Sequence, residues 1–324
     1  MSSLVEQVAH PAHSNSHSHS HAWITRFAPS PTGYLHLGHV ASLIFVNSVA
    51  KALKAKVILR MEDHDQGRCR PAFERTTFED LDWLGYRFDN PDFNHQMPSS
   101  YRQSDNIDEY ARALAELSKA GLVYGCNCSR QAIIKRTGES SSEELRYDGH
   151  CRDLGLPLDD PNLGLRVRFS DSSETFIDAN LGPQSQVPIN QCGDLLLRDR
   201  HNNYTYNFAV VVDDLRHGVN LVVRGSDVLH ATGRQIYLAR LLGQKNHATY
   251  YHHRLLVDAS GAKLSKRTFA DAIAKRRANG EHPAQILGEA AYAAQLISEP
   301  HQTSWDELAD SFTLPDALKE YSHG

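Results

Sequence analysis

The stretch Trp23–His39, reading WITRFAPSPTGYLHLGH, limits what this chain can become more than any other. Ile24 to Phe27 has the character of a short buried strand. Pro29, Pro31 and Gly33 then forbid both a helix and a ladder, so the chain must pass through a tight, stiff loop. From Gly38 to Ala55 the apolar residues Val40, Leu43, Ile44, Val46, Val49, Ala50 and Leu53 recur at helical spacing. Strand, Pro/Gly loop and helix in that order put His36 and His39 at a helix N-terminus. Free backbone N–H groups and the positive dipole end gather there and suit a phosphate. Two imidazoles on the same turn can add donors to it. Taken alone, H-x-x-H would describe no more than a loop with two surface histidines.

At 324 residues the chain has room for one sizeable domain, or a large domain with small appendages. A net charge of −5 gives no support to non-specific nucleic-acid binding, so an RNA ligand would have to be held by a local basic face. No apolar run approaches the roughly 20 residues of a membrane span, and the N-terminus lacks the apolar core of a secretory signal. No membrane partner is therefore expected. Five cysteines, odd in number and unevenly placed, argue against a disulfide framework and for a reducing, cytoplasmic setting. Residues 1–22, with HPAHSNSHSHSH, read as a disordered His/Ser-rich tail that could bind nickel or zinc only weakly.

Lys56 to Met61, KVILRM, reads as a second buried parallel strand, with Glu62, Asp63, His64 and Asp65 at its carboxyl end. Ligands of open α/β sheets sit at such ends, so an acidic cluster there suits a substrate ammonium. The plainer alternative is an exposed acidic turn before a helix that begins near Pro71. Phe73–Leu84 and Asp105–Leu122 have the pattern of amphipathic helices. Gly164–Ser170, Phe176–Asp178 and Asp194–Arg198 read as strands, with a turn at Leu181-Gly-Pro. Asn220–Arg224, NLVVR, is again strand-like, and Gly225-Ser226-Asp227 is expected to cap a helix running through Leu242. Arg224 would then face the same crevice as Arg26 and Glu62. Phe269–Asn279 and Pro283–Ile297 look helical, and Lys275, Arg276 and Arg277 form a basic patch.

Two further motifs carry chemistry. Cys126 and Cys128 form C-x-C, and Cys151 follows after a polar stretch. Three thiols in a compact polar segment suit a tetrahedral zinc, with Tyr147 and His150 as candidates for the fourth position. General zinc chemistry favours the imidazole of His150 over a phenolate. Downstream, Lys263-Leu-Ser-Lys-Arg267 follows a Gly-bearing segment and suits a flexible lid over a triphosphate. Such a string is weak by itself and gains weight only beside HLGH.

The run R-F-A-P-S-P-T-G-x-L-H-x-G-H resembles the HIGH region of class I aminoacyl-tRNA synthetases, in the form used by the glutamyl branch. KLSKR resembles their KMSKS loop, and R-x-E-D at Arg60–Asp63 and T-Y-N-F-A-V-V-V-D-D up to Asp214 are similar to glutamyl-type patterns. The C-x-C…Y-x-x-x-C arrangement and the lack of room for an anticodon-binding region resemble the short glutamyl-queuosine tRNA(Asp) synthetase family. The resemblance implies an α/β, Rossmann-type class I nucleotide-binding fold with an inserted zinc-binding subdomain and a short helical C-terminal tail. It divides the chain into the first half of the catalytic domain (23–122), a zinc-binding insert (123–160), an acceptor-type insert with the second catalytic half (161–267) and the tail (268–324).

For function, the resemblance implies a monomeric ATP-dependent ligase. It would activate L-glutamate as its adenylate, with Mg²⁺ accompanying ATP, and pass the glutamyl group to queuosine in tRNA(Asp). His36, His39 and Lys266 would be catalytic, and Gly38, Lys263 and Ser265 would join them around ATP. Arg26, Phe27, Ala28, Pro29, Ser30, Glu62, Tyr206 and Arg224 would bind glutamate. Arg26 and Arg224 would take the side-chain carboxylate, and Glu62 with Tyr206 the α-ammonium. Cys126, Cys128, Tyr147 and Cys151 would hold one structural Zn²⁺, which sets Tyr147 in place of His150. A truncated glutamyl-tRNA synthetase and a non-catalytic synthetase-like binding module are the alternatives.

Overall fold

The computed structural model describes residues 22–138, 145–256 and 272–321. Its first part runs β1 (Ile24–Phe27), α1 (Leu37–Ala52), β2 (Lys56–Leu59), α2 (Pro71–Trp83) and α3 (Ile107–Lys119). The middle comprises β3 (Val123–Cys126), α4 (Arg130–Thr137), β4 (Gly164–Val167), β5 (Glu174–Asp178), β6 (Gly182–Gln186), α5 (Pro188–Cys192) and β7 (Leu195–Arg198). Then come α6 (Tyr206–Arg216), β8 (Leu221–Gly225), α7 (Thr232–Leu241) and β9 (Thr249–His253). The last part holds α8 (Ile273–Ala278), α9 (Pro283–Ala293), α10 (Trp305–Ser311) and α11 (Asp316–Lys319).

β1 and β2 pair in parallel, Ile24 opposite Lys56 and Phe27 opposite Leu59, with α1 as the crossover that such a pair requires. β8 runs beside β1: the Ile24 N–H donates to Asn220 Oδ1 at 2.8 Å, and the Asn220 N–H donates to the Ile24 carbonyl at 3.1 Å. β8 also pairs in parallel with β9, which continues through β5 to β6, the last pair antiparallel. A separate antiparallel sheet, β3-β4-β7, carries the cysteine segment. The core lies on both faces of the first sheet. α1 fills one face with Val40, Leu43, Ile44, Val46 and Val49, all buried, against Leu221, Val223, Ile286, Leu287 and Ala290.

Among the described residues the expected elements form, with shifts at their ends; the start of the expected Phe269–Asn279 helix, residues 269–271, lies outside them. No side chain caps the expected helix after Gly225. A 3₁₀ stretch, Ser226–Ala231, comes first, and α7 begins only at Thr232. That first residue is fully buried, and its hydroxyl is committed to Arg224, which anchors the start of the helix. α6 forms across Val210, Val211 and Val212, where burial of the helix outweighs the poor helix propensity of β-branched residues. The helix expected through Ile297 stops at Ala293, and Gln295 turns through φ +56°.

The C-terminal helices cover α1 and do not hang free. Trp305 Nε1 donates to the Leu84 carbonyl at 2.8 Å, and Asn47 Nδ2 donates to the Trp305 carbonyl at 3.2 Å. Gly288 is required there, since a Cβ would meet the His301 carbonyl oxygen at 1.8 Å. Among the described residues no helix is long and apolar enough to cross a membrane. Leu43 has no exposed surface, so Leu43→Ala is expected to cost about 3 kcal/mol in a urea titration. Ile107→Ala, at a half-exposed position, should change stability by less than about 0.5 kcal/mol in the same assay.

Candidate active site

A cleft of about 160 Å³ opens at the carboxyl ends of β1, β2 and β8. It brings together Arg26, Phe27, Ala28, Pro29, Gly38, His39, Glu62, Tyr206 and Arg224, with Ser42, Val46, Val223 and Val228 completing its wall. Ser30 and His36, both expected here, are not among its lining residues. Lys263, Ser265 and Lys266 lie outside the described residues.

His36 instead caps α1. Its Nδ1 accepts the Gly38 N–H at 3.0 Å, while the His36 N–H donates to His39 Nδ1 at 3.1 Å. This is a capping box built from two imidazoles. Because each Nδ1 accepts, each ring carries its proton on Nε2 in the neutral form. Gly38 is needed beneath the ring, as a Cβ would come within 2.8 Å of His36 Cε1.

The acidic run divides. Asp63 Oδ1 accepts the Ser104 N–H, Asp65 pairs with Arg68, and His64 Nδ1 meets Gln103 Oε1 at 2.8 Å. Only Glu62 of the four lines the cleft. It is the end of a chain of charges: Arg26 Nε to Asp214 Oδ1 at 3.0 Å, Asp214 Oδ1 to Arg60 Nη1 at 2.6 Å, and Arg60 Nη2 to Glu62 Oε1 at 2.8 Å. Burial opposes the Arg60 charge, but Asp214, Glu62 and Asp213 outweigh it and hold the guanidinium above its ordinary value. Burial likewise pushes the Asp214 carboxyl up, and Arg26 with Arg60 pull it down further, to about 2. Burial raises the Tyr206 phenol against the pull of Arg224, so it remains an O–H donor.

Arg224 is held differently. It is 8% exposed and donates Nε to His252 Nε2 at 3.0 Å, Nη1 to Gln235 Oε1 at 2.7 Å and Nη2 to Thr232 Oγ1 at 2.9 Å. Among the described residues no carboxylate pairs with it directly, in contrast to Arg26. A buried cation with only neutral acceptors is costly unless an anion arrives.

The sulfur cluster lies apart from this cleft. Sγ of Cys126, Cys128 and Cys151 all fall within 4.8 Å of one another. The Tyr147 hydroxyl stands 3.5 Å from Cys126 Sγ, whereas His150 is exposed. Arg166 Nε donates to Cys126 Sγ at 3.4 Å and its guanidinium stacks 3.7 Å from the Tyr147 ring, while Arg136 Nη2 donates to Cys128 Sγ at 3.2 Å. Three thiols and a phenol with two cations beside them fit a tetrahedral divalent ion bound by anionic ligands. Gly193, at φ +69°, is required behind it, because a Cβ would meet the Tyr147 carbonyl oxygen at 2.1 Å.

Arg60, Asp214, His252, Asp178, Thr232 and Gln235 escaped the sequence reading as site residues. A charged residue inside the apolar KVILRM strand and the R-x-E-D pattern were the available signals for Arg60. Asp214, depressed to about 2 in the fold, gives stability that is present above the unfolded carboxylate value of roughly 4 and lost as pH falls toward about 2. The urea-midpoint deficit of Asp214→Asn is therefore expected to be full near neutral pH and to shrink across that acid window.

Residues 23–289 match the family model described as tRNA synthetases class I (E and Q), catalytic domain. The chain is 37% identical over 280 residues to the Glutamyl-Q tRNA(Asp) synthetase of Rhodobacter capsulatus, covering 81% of this chain and 98% of that protein. It is 36% identical over 305 residues to the protein of the same name from Symbiobacterium thermophilum, covering 91% and 94% respectively. In fold it is similar to a glutamate tRNA ligase of Elizabethkingia meningosepticum solved in complex with its amino acid, with a TM-score of 0.73 and 25% identity. That match covers 90% of this chain but only 65% of the ligase. With its class I fold, its catalytic-domain match and relatives matched over nearly their whole length, the chain belongs to the glutamyl-Q tRNA(Asp) synthetase family of class I tRNA synthetases.

Proposed function

We propose that the protein activates L-glutamate with ATP and transfers the glutamyl group to the queuosine base of tRNA(Asp). The observation that carries this reading is Arg224, a buried guanidinium that pairs with no carboxylate among the described residues, facing a cleft that also holds Glu62 and His39. A substrate with two carboxylates and one ammonium matches that arrangement. The side-chain carboxylate meets Arg224, and the ammonium meets Glu62, whose Oε1 is already anchored by Arg60. Tyr206 lines the same cleft as a neutral hydroxyl donor. Arg26 contributes less net charge than Arg224, because Asp214 already neutralises it. An amide in place of the side-chain carboxylate would leave Arg224 poorly matched, which favours glutamate over glutamine.

In the first step a glutamate α-carboxylate oxygen attacks the α-phosphorus of ATP, and pyrophosphate leaves. In the second, a hydroxyl of the queuosine cyclopentenediol attacks the adenylate carbonyl, and AMP leaves. Neither step needs a covalent enzyme intermediate, so alignment and charge stabilisation provide the acceleration. His39 Nε2 and Lys266 are assigned to the phosphates, with Mg²⁺ as the counter-ion of ATP; the Gly38, His39 and Val40 amides at the start of α1 are already bonded to His36. Cys126, Cys128, Cys151 and Tyr147 are assigned to one Zn²⁺ that ties β3 to the segment around Cys151 and takes no part in the reaction.

The decisive experiment is ATP–pyrophosphate exchange with glutamate in the absence of RNA. Arg224→Ala is expected to raise KM for glutamate by about 100-fold with little change in KM for ATP. Lys266→Ala should lower kcat with glutamate affinity nearly intact. Labelled glutamate should then pass to queuosine-containing tRNA(Asp) and neither to tRNA(Asp) lacking queuosine nor to tRNA(Glu). Exchange with no amino acid at all would defeat the reading. Metal analysis is expected to return about one zinc per chain, lost in Cys151→Ala and retained after removal of residues 1–22.

A further inference from the structure

We infer that His252 and Asp178 are positioning residues for the side-chain carboxylate of the substrate, acting through Arg224. The inference rests on the glutamate reading of the cleft and extends it to two residues that do not line it.

The geometry fixes the protonation pattern. Arg224 Nε–H points at His252 Nε2 at 3.0 Å, so that nitrogen must be bare. The ring proton therefore sits on Nδ1, 2.6 Å from Asp178 Oδ2. Asp178 cannot turn away, because its Oδ1 accepts the N–H groups of Asn180 and Leu181 at 3.1 and 2.9 Å. Asp178 and His252 both have 0% exposure, so no water competes for these bonds.

The consequence is electrostatic. Asp214 touches Arg26 directly and cancels much of its charge. Arg224 receives its negative balance one imidazole further away. Its guanidinium is oriented and partly compensated, yet among the described residues no carboxylate pairs with it directly. Five N–H donors are available to a guanidinium, and His252, Gln235 and Thr232 take three of them.

Protonation of His252 would reverse this, setting two donors and two cations against each other across 3.0 Å. Several groups face the ring. Asp178 lies on β5, Arg224 on β8, the Thr232 hydroxyl at 3.3 Å on α7 and the Tyr250 ring at 6.1 Å on the same strand, with the charge of Arg26 beyond. Burial first, and then Arg224 and Arg26, hold the imidazole below its ordinary value against the pull of Asp178.

The test measures glutamate-dependent ATP–pyrophosphate exchange in the full chain for wild type, His252→Leu and His252→Gln between about pH 5 and 7.5. His252→Leu should raise KM for glutamate about 10-fold or more, with a much smaller fall in kcat and KM for ATP within about twofold. His252→Gln, whose Oε1 can accept the same N–H, should return KM for glutamate to within about threefold of wild type. On acidification below the ordinary imidazole range KM for glutamate should climb in wild type and stay flatter in His252→Gln, which has nothing to protonate there. A leucine variant with wild-type KM for glutamate, or a glutamine variant as impaired as the leucine one, overturns the inference. Should the leucine variant fail to fold, coincident pH profiles for wild type and His252→Gln overturn it instead. Wild type that activates no amino acid defeats the functional reading, and wild type active with glutamate leaves these outcomes to decide the inference alone.

Discussion

Arg60 has no exposed surface, and the arrangement of the cleft depends on how its charge is met. It lies one residue past β2, bonds Glu62 with one terminal nitrogen and Asp214 with the other, and through Asp214 reaches Arg26 on β1. β1, β2 and α6 are thereby joined by alternating charges at the mouth of the sheet. Such buried ion pairs are rarely the most stable filling of a space, since well-packed apolar residues do as well or better. Removing one member, however, strands its partner and costs about 3–5 kcal/mol. The network thus fixes where Arg26 and Glu62 point, and any error in one is transmitted to the other.

Beside this chain stands a second arrangement of opposite design. Arg26 is bound to a carboxylate, whereas Arg224 is clasped by an imidazole, an amide and a hydroxyl. The two guanidinium groups of one cleft therefore present unequal positive potential. A ligand with distinguishable acidic groups would be oriented by that inequality as well as by the walls. Glu62, lining the same cleft, completes a charge pattern of plus, minus and near-neutral.

Much of this was legible in the sequence where local rules decide. The Pro/Gly loop between β1 and α1 and the parallel β1–β2 pair follow from turn chemistry and apolar period. Arg26, Glu62 and Arg224 could be placed because strand ends are recognisable and α/β sheets gather ligands there. The partners that orient them could not, because Arg60 and Asp214 are 154 residues apart and His252 and Asp178 are 74 apart. Nothing in local pattern distinguishes Asp214 from Asp213, although one reaches Arg26 and the other accepts from Gln103 and Tyr110. The choice between His150 and Tyr147 illustrates the same limit. Ligand chemistry favours the imidazole, but the fold leaves His150 in solvent and puts the phenol 3.5 Å from Cys126 Sγ.

The cap at the start of α1 separates two properties that most helix starts combine. Serine or aspartate at position 36 would keep the helix begun while removing a ring N–H, whereas lysine would bring in a cation and leave the Gly38 amide without its acceptor. The cap draws on Nδ1 of both rings, while the proposed phosphate contact draws on Nε2 of His39 alone, so evolution or engineering can alter one without erasing the other.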